Sequence, residues 1–253
     1  MQHPDFVVVD AFIGEGCLGN PAAVAIVETF APTEELARTA RELELPCIFV
    51  QLGSERSHIR WFTPDESDFC GHGTLAASRV LLDRGLSPKY TSCAGELAAS
   101  VDGDWIQLDL PALPLRPLAI PPELSAILGA EVCSLHDASG RIVVEVAHED
   151  VVRRLRPNIA GLRRMFGLGV AVTARGSGEF DFISRFFRKA HNDEDPVTGS
   201  AHCALGPFWA ERLGKTKFMA FQASDRGGVL RVELRPNARV TVSGRAKVRA
   251  SGE

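Results

Sequence analysis

Long hydrophobic runs are missing from this 253-residue chain. No apolar stretch approaches the ~18 residues that a membrane-spanning helix requires, so no membrane association is expected. An excess of one charge is missing too. Lys and Arg number 28 against 32 Asp and Glu, with both signs interspersed and a net charge of −4. The chain therefore offers no electrostatic footprint for nucleic acid or for an anionic membrane. Cysteine clusters are also absent: the six, at 17, 47, 70, 93, 133 and 203, include no Cys-x-x-Cys pair, and no metal site is expected. The N-terminus reaches Phe6-Val7-Val8-Val9 without a basic-then-apolar signal, which points to a cytoplasmic protein whose thiols are unpaired. No low-complexity tract interrupts the chain.

What is present is a composition of 45% hydrophobic and 24% charged residues, that of an ordinary globular protein. The length suits two domains of about 100–150 residues or one large one. Two related motifs then stand half a chain apart. Arg60-Trp61-Phe62, an acidic turn and Cys70-Gly71-His72-Gly73-Thr74 precede a helical run that closes on Gly85. Arg185-Phe186-Phe187, an acidic turn and Asp195-Pro196-Val197-Thr198-Gly199-Ser200-Ala201-His202 precede another that closes on Gly214. A small-residue turn and an alternating strand pattern follow each run, at Ala94-Gly95-Glu96-Leu97 and at Gly227-Gly228-Val229-Leu230. The offset of 125 residues between the two arginines means duplicated halves, whose helix N-termini are expected to face one shared cleft.

Such N-termini suit an anion, because their first N–H groups are unpaired and the helix dipole is positive there. Gly73 and Gly199 would let a ligand approach the backbone, and Thr74, Thr198 and Ser200 would add hydroxyls. Capped helices with glycines kept for packing are the alternative.

Along the chain, strands are expected at Val7–Phe12, Ala22–Val27, Cys47–Leu52 and Ser57–Phe62. A helix from Thr33 to about Leu43 would be capped by Thr33. The Thr74–Arg84 run is apolar on most sides and reads as a buried helix. Strands near Tyr90–Thr91, Leu97–Val101 and Trp105–Leu110 complete the first half. The proline-rich stretch from Pro111 to Pro117 reads as the link. Beyond it come short helices at Glu123–Leu128 and His148–Arg156 and strands at Arg141–Val146, Val170–Ala174 and Phe180–Phe187. A second central helix at Thr198–Leu213 and three strand patterns ending at Val248 complete the second half. The expected fold is α+β: two pseudo-symmetric domains, each a curled, mostly antiparallel sheet around a central helix. Their expected bounds are residues 1–112, joined by 243–253, and 113–242.

Val9-Asp10-Ala11-Phe12, Gly19-Asn20-Pro21-Ala22-Ala23-Val24, Arg60-Trp61-Phe62-Thr63-Pro64, Cys70-Gly71-His72-Gly73-Thr74 and Glu194 to His202 together resemble the PhzF-like (phenazine-biosynthesis-like) isomerase family. Gly227 to Leu234 and Ser243-Gly244-Arg245-Ala246 extend the likeness to the last strand. The resemblance implies a diaminopimelate-epimerase-like fold, a homodimer and a cofactor-free site acting on a small carboxylate-bearing substrate. It also implies three residues that move protons: the histidine matching His72, the aspartate matching Asp195, and a glutamate after the first helix. At that last place this chain has Pro46 or Cys47, with Glu44 close by in sequence. A Cys47 that stands in for the glutamate would mark an altered reaction, and isomerase activity gained by Cys47→Glu would show that the cleft is otherwise intact. The expected substrate contacts are Asn20, Cys70, Gly71, Gly73, Thr74, Thr198, Gly199 and Ser200. The second Arg-x-Phe is followed by Arg188-Lys189-Ala190-His191 in place of the family's Ala-Pro, and His191 and Asp193 read as a solvated turn. Two other functions stay open: a homologue that binds a metabolite or partner without turnover, and a racemase or epimerase that uses Cys70.

Overall fold

A computed structural model describes residues 4–93, 95–188 and 193–250. Ala94, and the stretch from Lys189 to His191 where the family's Ala-Pro is replaced, lie outside the described residues. Among the described residues no helix is long and apolar enough to cross a membrane. The chain forms two compact units. The first runs up to Ile13, from Gly19 to Asp109 and from Ser243 onward; the second holds Gly14–Leu18 and Leu110–Val242.

In order, the first unit contains β1 (Phe6–Ile13), β2 (Asn20–Val27), α1 (Thr33–Leu43), β3 (Cys47–Gln51), β4 (Ser57–Phe62), β5 (Glu66–Ser67), α2 (Gly71–Asp83), β6 (Lys89–Ser92), β7 (Gly95–Asp102) and β8 (Trp105–Pro111), whose residues from Leu110 belong to the second unit. The second begins with β9 (Arg116–Pro117), α3 (Leu124–Leu128), β10 (Ser134–Asp137), β11 (Arg141–Glu145), α4 (Glu149–Arg154) and α5 (Ile159–Phe166). It continues with β12 (Gly169–Arg175), β13 (Phe182–Phe187), β14 (Glu194–Asp195), a 3₁₀ turn (Gly199–Ala201), α6 (His202–Leu213), β15 (Lys217–Gln222), β16 (Gly228–Arg235) and β17 (Arg239–Val248), whose residues from Ser243 onward belong to the first unit. The strand β17 returns to pair antiparallel with β1, Val9 opposite Val248.

The same pairings recur in both units. β2 and β3 are parallel, β3 and β4 antiparallel, and β4 pairs antiparallel with β5 and parallel with β6. β11 and β12 are likewise parallel, β12 and β13 antiparallel, and β13 pairs antiparallel with β14 and parallel with β15. The duplication therefore holds at the level of register, with Arg60 opposite Phe49 and Arg185 opposite Val172. It holds for side chains too. Arg60 grips Glu66 through Nε and Nη2, both at 2.7 Å, and Arg185 grips Glu194 through the same two atoms at 2.7 and 2.5 Å.

Both central helices are buried, as their low amphipathicity requires. In α2 the residues Gly71 to Ser78, Val80 and Leu81 are covered, and the helix packs on β1, β2 and β3. In α6 the residues His202 to Gly206, Phe208 and Trp209 are covered. Three local expectations need correction. Thr33 is the first helical residue of α1, not its cap: Pro32 holds that position, and the Thr33 hydroxyl accepts from Arg60 Nη2. The first central helix starts at Gly71, three residues before Thr74. The second opens as a 3₁₀ turn and becomes α-helical only at His202.

His202 is fully buried and stacks on Phe182. Its Nδ1 lies 3.0 Å from the Thr198 carbonyl, which can only accept, so Nδ1 carries the hydrogen. Burial pushes its pKa down to about 4 from 6.5. An unfolded chain therefore binds a proton below about pH 6.5 that the folded chain refuses until about pH 4. Across that window His202 is expected to remove about 3 kcal/mol of stability, at 1.36 kcal/mol per unit. Melting curves at several pH values should show this loss in the wild type and a flatter profile in His202→Phe. Equal slopes in the two proteins would contradict it.

Candidate functional site

The first group of expected residues gathers where α2 begins. Cys70 precedes the helix in extended conformation, and His72 lies in its first turn; both are buried. The Cys70 Sγ is 3.5 Å from His72 Nδ1 and 3.8 Å from Nε2, a thiol and an imidazole within proton-transfer reach. Asn20 is buried at the start of β2, which packs on α2.

Two expected contacts in this group have close partners within the fold. Thr74 is buried, and its hydroxyl donates back to the Cys70 carbonyl at 2.8 Å. At Gly73 the direction of a side chain is filled: a Cβ there would stand 2.4 Å from Ile48 Cδ1 and 3.0 Å from Cys70 Sγ. Gly73→Ala is thus expected to cost about 1–3 kcal/mol by overpacking. Adding Ile48→Val, which removes the clashing methyl, should recover most of it in a denaturant titration. A Gly73→Ala protein of undiminished stability would show that the space is open.

Cys47 requires the largest correction. Its side chain belongs to the core on the α1 side of the sheet, with Leu36, Ala37, Ala40, Phe49 and Phe62, whereas Ile48 and Val50 face α2 and Cys70. Adjacent strand residues point to opposite faces, so a thiol at this position turns away from the side that carries Cys70. Burial pushes the thiol up to about 12, and its hydrogen is directed at the Leu45 carbonyl. It is neutral and enclosed, and an acid or base role for it is not supported. Glu44 does not take its place: it is exposed, in left-handed conformation (φ 52°), at the end of α1.

The second group lies between β14 and α6. Asp195 is buried and held on three sides. Arg188 Nη2 donates to Oδ1 at 2.8 Å, the Thr198 hydroxyl donates to Oδ2 at 2.5 Å, and Gln222 Nε2 donates to the Asp195 carbonyl at 2.7 Å. Gln222, itself buried, also accepts from the Thr198 backbone N–H at 2.8 Å. One buried amide thus locks the loop between the carboxylate and the 3₁₀ turn. Ser200 accepts from Arg141 Nη2 at 2.9 Å. Asp193, expected in a solvated turn, is exposed and lies 3.7 Å from Arg188 Nη1; His191 lies outside the described residues.

Arg141, Arg188 and Gln222 were not among the expected site residues. A polar residue closing the apolar Phe218-Met219-Ala220-Phe221 run of β15 was a signal for Gln222. The departure at Arg188 was visible, but not its partner.

Register also shows which residues correspond. Ser67 pairs with Trp61 as Asp195 pairs with Phe186. Counting forward from there, Cys70 corresponds to Thr198, His72 to Ser200 and Thr74 to His202. Asp195 and His72 are therefore not symmetry mates, and the two halves have diverged in chemistry. A two-thiol arrangement is not formed, since Thr198 stands where the second cysteine would be.

Comparisons with known proteins agree with this architecture. A family model described as phenazine biosynthesis-like protein matches residues 9–104 and 125–252. An uncharacterized isomerase of Halalkalibacterium halodurans is 40% identical over 257 residues, covering 97% of this chain and 96% of that protein. An uncharacterized isomerase of Pseudomonas aeruginosa is 41% identical, with 96% of each chain covered. Among solved structures, a PhzF-family phenazine biosynthesis protein of Enterococcus faecalis has a TM-score of 0.90 at 36% identity, covering 97% of this chain and 96% of that one. A predicted epimerase of Pseudomonas aeruginosa, at 18% identity and a TM-score of 0.74 over 98% of each chain, shares the fold. The architecture is the diaminopimelate-epimerase-like α+β fold.

Proposed function

Because the chain belongs to the phenazine biosynthesis-like (PhzF) family, we propose that it is an isomerase, moving a proton on a small carboxylate-bearing metabolite without a cofactor. The observation that carries this reading is the setting of Asp195, a buried carboxylate aimed by Arg188 and Thr198 and locked by Gln222. Asp195 takes a proton from carbon, and the electron pair of that C–H bond moves into the conjugated system of the substrate. His72 delivers a proton to the carbon where the new C–H bond forms, and the isomer leaves with its atoms unchanged in number. Backbone N–H groups at a helix start stabilise the negative charge that develops between the two transfers. Cys47 has no part in this scheme.

A panel of small hydroxy, amino and unsaturated carboxylic acids in D₂O tests the reading by NMR. Deuterium uptake at carbon, or migration of a double bond, in one class of acid is the expected result. The position of Cys47 favours a second reading, a homologue that binds a metabolite without turnover, because no third proton-transfer group stands at the glutamate's place. Binding of an acid with no exchange at any carbon would select that reading. For assembly we propose a homodimer, on the family relation alone; a monomer by light scattering at micromolar concentration would refute it.

A further inference from the structure

Arg141 opens β11, directly after a turn made by Ser139 and Gly140, both with positive φ. Its neighbours in the strand, Ile142, Val143 and Val144, are buried. Counting back from the two arginines of the duplicated motif, Arg141 occupies the position that Ala22 occupies in the first unit. Ala22 is an enclosed core residue on the α2 side. The second unit therefore carries a guanidinium where its duplicate carries a methyl group.

Among the described residues no carboxylate lies within ion-pair reach of this guanidinium, and its hydrogen bond goes to the neutral hydroxyl of Ser200. Arg60, Arg185, Arg188, Arg212 and Arg249, whose side chains are at most 28% exposed, are each paired with an acid. The titratable group facing Arg141 is Cys203, whose thiol burial pushes up to about 11; it is neutral near pH 7 and compensates nothing. Withdrawal from water acts against the Arg141 charge and pulls its pKa below the ordinary value. A largely covered cation without a counter-ion is costly to the fold. It becomes favourable when an anion completes it.

On the reading given above, we propose that the Arg141 guanidinium, with the Ser200 hydroxyl, binds the carboxylate of the substrate. Nη2 is fixed by Ser200, while the rest of the planar fork retains N–H donors for a two-point contact with a carboxylate. Having accepted from Arg141, the Ser200 hydroxyl has its own hydrogen to donate. Ser200 stands five residues after Asp195 in the loop that Gln222 locks, so the anion is held by the same short segment that carries the proposed base. The substrate class is a carboxylate small enough to place its reacting carbon within that loop's reach.

The test uses the full chain, with malonate as probe and malonamide as uncharged control at fixed ionic strength. Wild type is expected to gain thermal stability with malonate and not with malonamide. Arg141→Met, which keeps the apolar stem, should bind malonate on the order of tenfold or more weakly. In the absence of ligand it should melt no lower than wild type, because an uncompensated cation has been removed. Arg141→Lys keeps the charge without the fork and should also lose about tenfold. No malonate effect in wild type, wild-type affinity in both variants, or a lower ligand-free melting temperature in Arg141→Met would each overturn the proposal. If malonate binding depends on Arg141 while no acid shows Asp195-dependent exchange, the isomerase reading fails and the carboxylate site stands.

Discussion

Asp195→Asn is expected to lower turnover on the order of 10²-fold or more and to leave the protein folded, and His72→Ala should do the same. The amide is close in shape to the carboxylate, and its oxygen can still accept from Arg188, so the loop keeps its arrangement. What it loses is the ability to take a proton. His72→Ala removes the imidazole at the start of α2 without disturbing the buried face of the helix, which Leu75, Ala76 and Leu81 supply. Cys47→Ala makes the contrast. It should leave turnover unchanged and cost only a small loss of packing, because its thiol is enclosed against α1. Substrate turnover by these variants, beside their melting temperatures, separates the two kinds of effect. Wild-type turnover in Asp195→Asn would remove Asp195 from the mechanism.

The largest effect on stability is expected at Glu194. The two Arg–Glu clamps have the same geometry and different burial: side-chain exposures are 6% and 16% for Arg185 and Glu194, against 22% and 34% for Arg60 and Glu66. Arg185 also donates through Nη1 to the Leu155 carbonyl at 2.6 Å, which ties β13 to the end of α4. Glu194→Gln leaves a covered guanidinium without its counter-charge, and breaking such a buried pair typically costs about 3–5 kcal/mol. At about 2–4 °C per kcal/mol for a protein of this size, the melting temperature should fall by roughly 6–20 °C. Glu66→Gln, in the more solvated clamp, should cost about 1 kcal/mol or less. Equal losses in the two variants would show that burial does not separate the clamps.

The duplication was legible in the sequence because its markers are unusual in combination: an arginine before two aromatics, an acidic turn, then a glycine at a helix start. The hairpin of β3 and β4 could be read for a similar reason, two apolar runs around a polar turn. Residue facing was harder. Cys47-Ile48-Phe49-Val50 is apolar on both sides of the strand, and a period of two has no phase when every position is apolar. Nothing in those letters says which side meets α1, so Cys47 could be taken for a site residue and Cys47→Glu for a restoration. In the structure that substitution would bury a carboxylate among Phe49, Phe62 and Ala40, and unfolding is the expected outcome.

The early start of α2 was hidden by Gly71, His72 and Gly73, poor helix formers that tertiary burial holds in helical conformation. Ser134-Leu135-His136-Asp137 has one apolar residue and no strand pattern of its own; β10 forms because β9 and β11 flank it. The α5 helix was readable and missed: Asn158 caps it by accepting from the Gly161 N–H, and Gly167 closes it in left-handed conformation. Arg141 was not readable, since an arginine opening a strand looks like a solvated edge until its missing partner is seen.

Asp195 and His72 are proposed to act on one substrate. The direct measurement is a double-mutant cycle on the rate of deuterium uptake, using the acid that exchanges with wild type, for Asp195→Asn, His72→Ala and the two combined. Residues that act as a unit are strongly non-additive, so the combined variant should lose about as much as either single one. Losses that multiply would mean that the two residues serve independent events, and the claim would be wrong.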